Sequence, residues 1–261
     1  MNLIDWLRQT CSSYDHEPVA VFRRLGQHKW PLNAIDEADL ENQLRTGGHF
    51  LPLPREPAAL ANVLEVSLID FLLLKLKDLP GVVAKRGTER GYPDLEVFGG
   101  PFGNHFFAVE VKVARRARSG RKTQSRITLY TGNTYFKWRD LPWPGMFRAF
   151  ADYKQHIDVI VLYTLNTNSL ARAEDIEVII QEPWRIASKQ RSSTTREYLG
   201  AVVSIDALRA GRGEFQSEDE FYRFWHKYNF KTGKAVEQQL RKLLAKYGMR
   251  ASSREPGGGT S

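Results

Sequence analysis

One cysteine in 261 residues, Cys11, is the sharpest scarcity in this sequence. It excludes an intrachain disulfide and any zinc site built on thiolates, and it favours a reducing compartment. Long apolar runs are also scarce. The stretch around Phe71–Leu74 is closed by Lys75 and Lys77, far short of the roughly 20 residues that span a bilayer. Met1-Asn2-Leu3-Ile4-Asp5-Trp6 carries an early acid and no basic region before an apolar one, unlike a secretory signal. A soluble, cytoplasmic protein without a membrane partner is expected. The six histidines are scattered, and neither a His-Glu-x-x-His helix nor a Gly-x-Ser-x-Gly elbow occurs. Thr232-Gly233-Lys234-Ala235 lacks the glycine and hydroxyl of a P-loop, so no nucleotide cofactor is expected. Acids are missing from one long segment. Between Lys112 and Arg139 stand Lys112, Arg115, Arg116, Arg118, Arg121, Lys122, Arg126, Lys137 and Arg139 with no Asp or Glu among them. That segment alone exceeds the formal net charge of +8 and suggests a polyanionic partner, although a solvated basic loop would look the same.

What is present is an ordinary globular composition, 42% hydrophobic and 26% charged. Residues 1–57 read as a helical and looped lead-in, with Leu3, Ile4 and Leu7 on one helix face and a turn at Leu51-Pro52-Leu53-Pro54. Residues 58–78 lack a breaker and are rich in Leu, predicting a long, mostly buried helix that stops at Leu79-Pro80-Gly81 and makes Asn62, Glu65 and Asp70 exceptions. Strands are expected at 82–84, 93–98, 105–113, 158–165 and 176–180, with a further one at 201–205. A helix-like stretch is expected at 146–155. A capping box from Ser217 to Glu220 opens a helix with Phe221, Phe224, Trp225 and Tyr228 on one face. A last amphipathic helix carries Val236, Leu240, Leu243, Leu244 and Tyr247. The expectation is an α/β fold, a mixed central sheet flanked by helices with helical additions at both ends. It divides into a core at 58–187, a C-terminal strand and helices at 188–249, and a disordered tail at 250–261.

The segments Pro93–Phe98 and Phe106–Val113 carry the chemistry. A turn centred on Phe102 sets Asp94 opposite Glu110, Glu96 opposite Ala108, and Phe98 opposite Phe106. Alternation then sends Leu95, Val97, Phe107, Val109, Val111 and Val113 to an apolar face, and Asp94, Glu96, Glu110 and Lys112 to the other. Facing carboxylates repel unless something positive sits between them, and a hard divalent cation with carboxylate, carbonyl and water ligands is the natural occupant. The Val111 carbonyl could supply a further oxygen. Lys112 emerges beside Glu110, where an ammonium could position water or offset charge on a phosphorane-like transition state. A half-exposed hairpin with a Lys112–Glu110 pair for solubility would also fit the pattern.

Pro93-Asp94, fifteen residues, then Glu110-Val111-Lys112 resembles the signature of the PD-(D/E)XK nuclease superfamily, and the order of elements over about residues 58–165 resembles its core. The resemblance implies Asp94 and Glu110 as metal ligands, Lys112 as catalytic lysine, and Mg²⁺ as cofactor. Many members place another acid on the preceding helix. Glu65 matches, with Asp70 behind it, and Glu96 is an accessory candidate. Size and insertions resemble a bacterial type II restriction endonuclease. A homodimer cutting double-stranded DNA is then implied, with a repair nuclease or a catalytically silent DNA-binding module as alternatives.

DNA contacts are expected from Arg86 and Arg90, with Lys85 behind them, and from Arg115, Arg116, Arg118, Arg121, Lys122, Gln124, Arg126, Asn133, Lys137 and Arg139. Tyr135, Phe136 and Trp138 are expected to serve mostly as core. Arg185–Arg196 reads as a second basic segment with a mobile loop.

Overall fold

The computed structural model describes residues 1–14, 36, 38–39, 42, 57–88, 91–168 and 172–248. The turn expected at 51–54, Arg90 and the tail lie outside the described residues. Helix α1 (Leu3–Cys11) is capped by Asn2, whose side-chain oxygen accepts from the Ile4 N–H at 2.9 Å. Helix α2 (Pro57–Lys77) is the long Leu-rich helix. Its mean hydropathy reaches 1.7 over 18 residues, enough by length and composition for a bilayer span, more than uninterrupted runs alone suggest. Its apolarity has a partner inside the fold: Leu68, Leu72 and Leu76 are buried in a cluster with the central sheet and α1.

That sheet contains β1 (Val82–Arg86), β2 (Leu95–Gly99), β3 (Phe106–Arg115), β5 (Gln155–Leu165) and β6 (Ala173–Gln181), in that spatial order. All neighbours are antiparallel except β3 and β5, which run parallel. Strand β4 (Thr128–Thr131) instead joins β8 (Tyr198–Ala201) and β7 (Ala187–Arg191) in a second, antiparallel sheet of order β4-β8-β7. The α/β architecture with a mixed central sheet is as expected, and the second sheet adds to it.

Each face of the central sheet is buried for its own reason. Leu95, Val97, Phe107, Val109 and Val111 pack with Ile157, Val159 and Val161 under α1 and α2. The opposite face, through Ala108, Ile160 and Leu162, packs against the second sheet and against α4 (Ile205–Ala210) and α5 (Glu218–Lys227). Between β6 and β7 lies the single turn α3 (Pro183–Ile186), and the described chain ends in α6 (Lys234–Lys246), which buries no residue. Ser217 Oγ accepts from the Glu220 N–H at 3.1 Å, while the Glu220 carboxylate reaches back to the Gln216 N–H at 2.8 Å, one residue earlier than a standard capping box.

Two expectations are corrected. Residues 146–155 form no α-helix; only a 3-10 turn at Phe150–Asp152 appears, because Phe150 stacks on His156 with ring centroids 3.8 Å apart and Arg148 reaches across to Glu96. The strand expected at 201–205 ends at Ala201, and Ile205 opens α4 behind its Ser204 cap. In the basic segment 185–196, the connection expected around Ser192–Thr195 joins β7 to β8, and α3 and β7 precede it.

Candidate active site

The hairpin register is Leu95 with Val109, Glu96 with Ala108, and Phe98 with Phe106, and continuing it brings Asp94 beside Glu110. Each carboxylate is held by the other's strand. Asp94 Oδ2 accepts from the Val111 N–H at 2.7 Å, and Glu110 Oε2 accepts from the Asp94 N–H at 3.1 Å. Lys112 Nζ donates to Glu110 Oε1 at 2.7 Å. Gly87, just beyond β1, donates to the Asp94 carbonyl at 2.7 Å, and a Cβ at this position would fall 2.1 Å from the Pro93 carbonyl oxygen. Only glycine permits that approach, so Gly87 fixes where Asp94 enters the site.

Burial pushes Glu110 up to about 7, with the Lys112 ammonium pulling against it and Asp94 adding repulsion. Asp94 is raised by burial, opposed by Lys112 and by the Val111 hydrogen bond. Burial works to lower Lys112, but Glu110, Asp94 and Asp158 outweigh it and hold the ammonium firmly protonated. Glu65, on α2, is raised by burial and then by Asp94, which places it within the electrostatic reach of the same cluster.

Asp158 was not anticipated. It stands in register with Glu110 on the adjoining parallel strand, is 1% exposed, and among the described residues neither of its oxygens has a hydrogen-bond partner. Its place at the head of Asp158–Leu165 made it look like a strand boundary, and only the β3–β5 pairing shows where it points. Tyr135 is half-buried: its hydroxyl accepts from the Thr131 N–H at 3.2 Å, and burial first, then Glu110, raises its pKa.

Two other acids have structural partners. Glu96, 2% exposed, takes Arg148 through two contacts at 2.6 and 3.0 Å and the Tyr153 hydroxyl at 3.1 Å. Asp70 pairs with Arg86 at 2.7 Å.

The basic segment leaves β3 as a small hairpin in which Gln124 N–H donates to the Arg115 carbonyl and Ala117 N–H to the Lys122 carbonyl, each at 2.8 Å. Arg115, Arg118 and Gln124 line a groove of 780 Å³ together with Thr164 and Leu165. Arg118, Arg121, Lys122 and Gln124 are exposed, while Lys137 is half-buried. Arg116 is committed to Glu177 at 2.7 Å, which also takes Arg209. Arg126 donates to the Ala201 carbonyl and Gln190, Asn133 to the Lys231 carbonyl, and Arg139 lies over the Tyr222 ring. Phe136 is fully buried, an aromatic used as core as expected.

Among the described residues no three His, Cys, Asp or Glu side chains already surround one point as a complete metal cage. The donor set nevertheless suits a hard divalent cation, because two carboxylates with remaining positions for water and phosphate are a common way of holding one. Asp158 beside them has no hydrogen-bond partner among the described residues, and burial holds its carboxyl well above the ordinary carboxylate range.

A mixed sheet with two acids and a lysine converging at the β2–β3 hairpin fits a restriction-endonuclease-like protein of the PD-(D/E)XK type. The family model described as restriction endonuclease EcoRV matches residues 26–249, and the chain belongs to that family. It is 21% identical over 198 residues to the type II restriction enzyme EcoRV of Escherichia coli, an alignment covering 69% of this chain and 78% of that protein. Family membership points to an endonuclease.

Proposed function

We propose that this chain is a Mg²⁺-dependent, sequence-specific endonuclease of double-stranded DNA, a type II restriction enzyme that hydrolyses phosphodiester bonds. The observation carrying the proposal is the mutual clasp of Asp94 and Glu110 with Lys112 Nζ 2.7 Å from Glu110. Asp94 and Glu110 would hold the ion, with the Val111 carbonyl as a further oxygen and Glu65 as the additional carboxylate from α2. A bound Mg²⁺ supplies positive charge to the phosphate and lowers the pKa of its water. Lys112, kept protonated by its carboxylate neighbours, offsets negative charge that develops on the phosphate oxygens.

Arg115, Arg118, Arg121 and Lys122 are assigned to the DNA backbone, where their charge draws in the duplex, and Gln124 has the donor–acceptor geometry to read a base edge. A symmetric duplex site cut on both strands calls for a homodimer, and the working location is the cytoplasm. The test is plasmid digestion in Mg²⁺, Ca²⁺ or EDTA. Discrete fragments in Mg²⁺ alone are expected. Smearing or junction-dependent cutting would indicate a structure-selective nuclease, and retardation without cleavage a silent binding module.

A further inference from the structure

Asp158 lies outside the signature motif, and its surroundings are unlike those of any other buried acid described here. It occupies a strand position flanked by Ile157 and Val159, both essentially inaccessible. A carboxylate without hydrogen bonds is costly there, and an aliphatic side chain would fill the space at no such cost. Glu96 shows how this fold treats a buried acid with a purely architectural task, giving it a bidentate arginine and a tyrosine hydroxyl. Asp158 has neither.

Burial holds the Asp158 carboxyl well above its ordinary value, and the cation whose field opposes that is Lys112, now on Glu110. Glu110 and Asp158 are register partners on parallel strands, so both project from the same face about 4.8 Å apart, a shift that a four-carbon lysine stem can make by rotation. Lys112 lies two residues along β3 from Glu110 and therefore also projects from that face.

We infer that Asp158 is a positioning residue for Lys112: when a divalent cation takes the Glu110 carboxylate, the Lys112 ammonium passes to Asp158, which keeps it beside the site. Without that second acceptor, a lysine displaced from Glu110 would either compete with the ion or withdraw toward solvent. The inference rests on the reading of Asp94, Glu110 and Lys112 given above.

The test compares acylation of Lys112 by an amine-specific reagent, followed by peptide mass spectrometry, in the full chain with and without saturating Ca²⁺. In the unsubstituted protein Lys112 stays protected in both conditions. In Asp158→Asn it stays protected without Ca²⁺, because Glu110 still holds it, and becomes about tenfold or more reactive with Ca²⁺, the effect of a one-unit fall in lysine pKa on free amine. Single-turnover cleavage in Mg²⁺ slows by a similar factor while DNA affinity in Ca²⁺ holds, and Asp158→Glu restores part of both protection and rate. A rise that is equal with and without Ca²⁺, or no rise, overturns the inference. Should Asp158→Asn not fold, the unsubstituted protein still decides: a comparable gain in Lys112 reactivity on adding Ca²⁺ overturns the inference, and retained protection supports it. Calorimetry separates the two levels. Ca²⁺ binding that is absent, or unaffected by Asp94→Asn, removes the underlying site reading and this inference with it, whereas normal Ca²⁺ binding with unaltered labelling removes this inference alone.

Discussion

Arg148→Met removes the guanidinium that covers Glu96, the most deeply buried acid on the hairpin's polar side. Glu96 is 2% exposed, so the variant leaves a carboxylate with only the Tyr153 hydroxyl, which donates at 3.1 Å. Breaking a buried pair from one side costs about 3–5 kcal/mol. Because 22% of the Arg148 side chain is exposed and Tyr153 remains, the lower end applies, about 3 kcal/mol. At about 2–4 °C per kcal/mol for a chain of this size, the melting temperature falls by roughly 6–12 °C. The reverse change, Glu96→Gln, keeps an acceptor for Arg148, which also rests on the Phe106 ring, and costs only about 1 kcal/mol. Urea denaturation of both variants, with unchanged slope, measures the asymmetry. At temperatures well below either transition, both should cleave DNA at the unsubstituted rate, since this pair maintains the fold. Equal destabilisation to within about 0.5 kcal/mol, or loss of cleavage in a folded Glu96→Gln protein, would refute the reasoning.

Asp94→Asn and Lys112→Ala should each reduce cleavage by at least about a thousandfold while DNA retardation in Ca²⁺ persists; near-normal digestion by either variant would remove these residues from the site. Glu110 is raised from its ordinary value to about 7, so the folded state holds its proton more tightly. Its contribution to stability is fully present below about pH 4.5 and is lost as pH rises through 7, at no more than about 1.4 kcal/mol per unit. Denaturation in EDTA across that window should show the decline, and Glu110→Gln should flatten it. Gly87→Ala must push the Pro93 carbonyl from a 2.1 Å clash and displace Asp94, lowering single-turnover cleavage more than DNA affinity, as parallel rate and binding measurements would show. Arg118→Ala should weaken DNA binding and reduce the salt slope by about one, whereas Arg116→Ala, which leaves Glu177 to Arg209 alone, should chiefly lower the melting temperature.

The hairpin was legible because two signals agreed: alternation fixed which side chains shared a face, and a turn taken as centred on Phe102 sets the register observed, with Leu95, Val97, Phe107 and Val109 together. Helix α2 was legible from its Leu content and its Pro-Gly stop. The second sheet was not. Strand β7, Ala-Ser-Lys-Gln-Arg, has neither β-branched residues nor aromatics, and it is a strand only because β8 lies beside it. Residues 146–155 misled in the opposite direction, since helix-forming composition yielded to tertiary demands on Arg148 and Phe150. Asp158 stayed hidden for a topological reason: a pairing between strands some 48 residues apart is invisible to local pattern.

That distant parallel pairing also governs when the proposed site is assembled. A ribosome has already released the complete motif, from Pro93 to Lys112, while the strand that must lie against it is still untranslated. Crossover pairings of this sort close late because the loop entropy is lost before any contact compensates it. A half-made chain therefore carries Asp94, Glu110 and Lys112 with no wall behind them, and the proposed site is complete only after synthesis has passed β5 and brought Asp158 into register with Glu110.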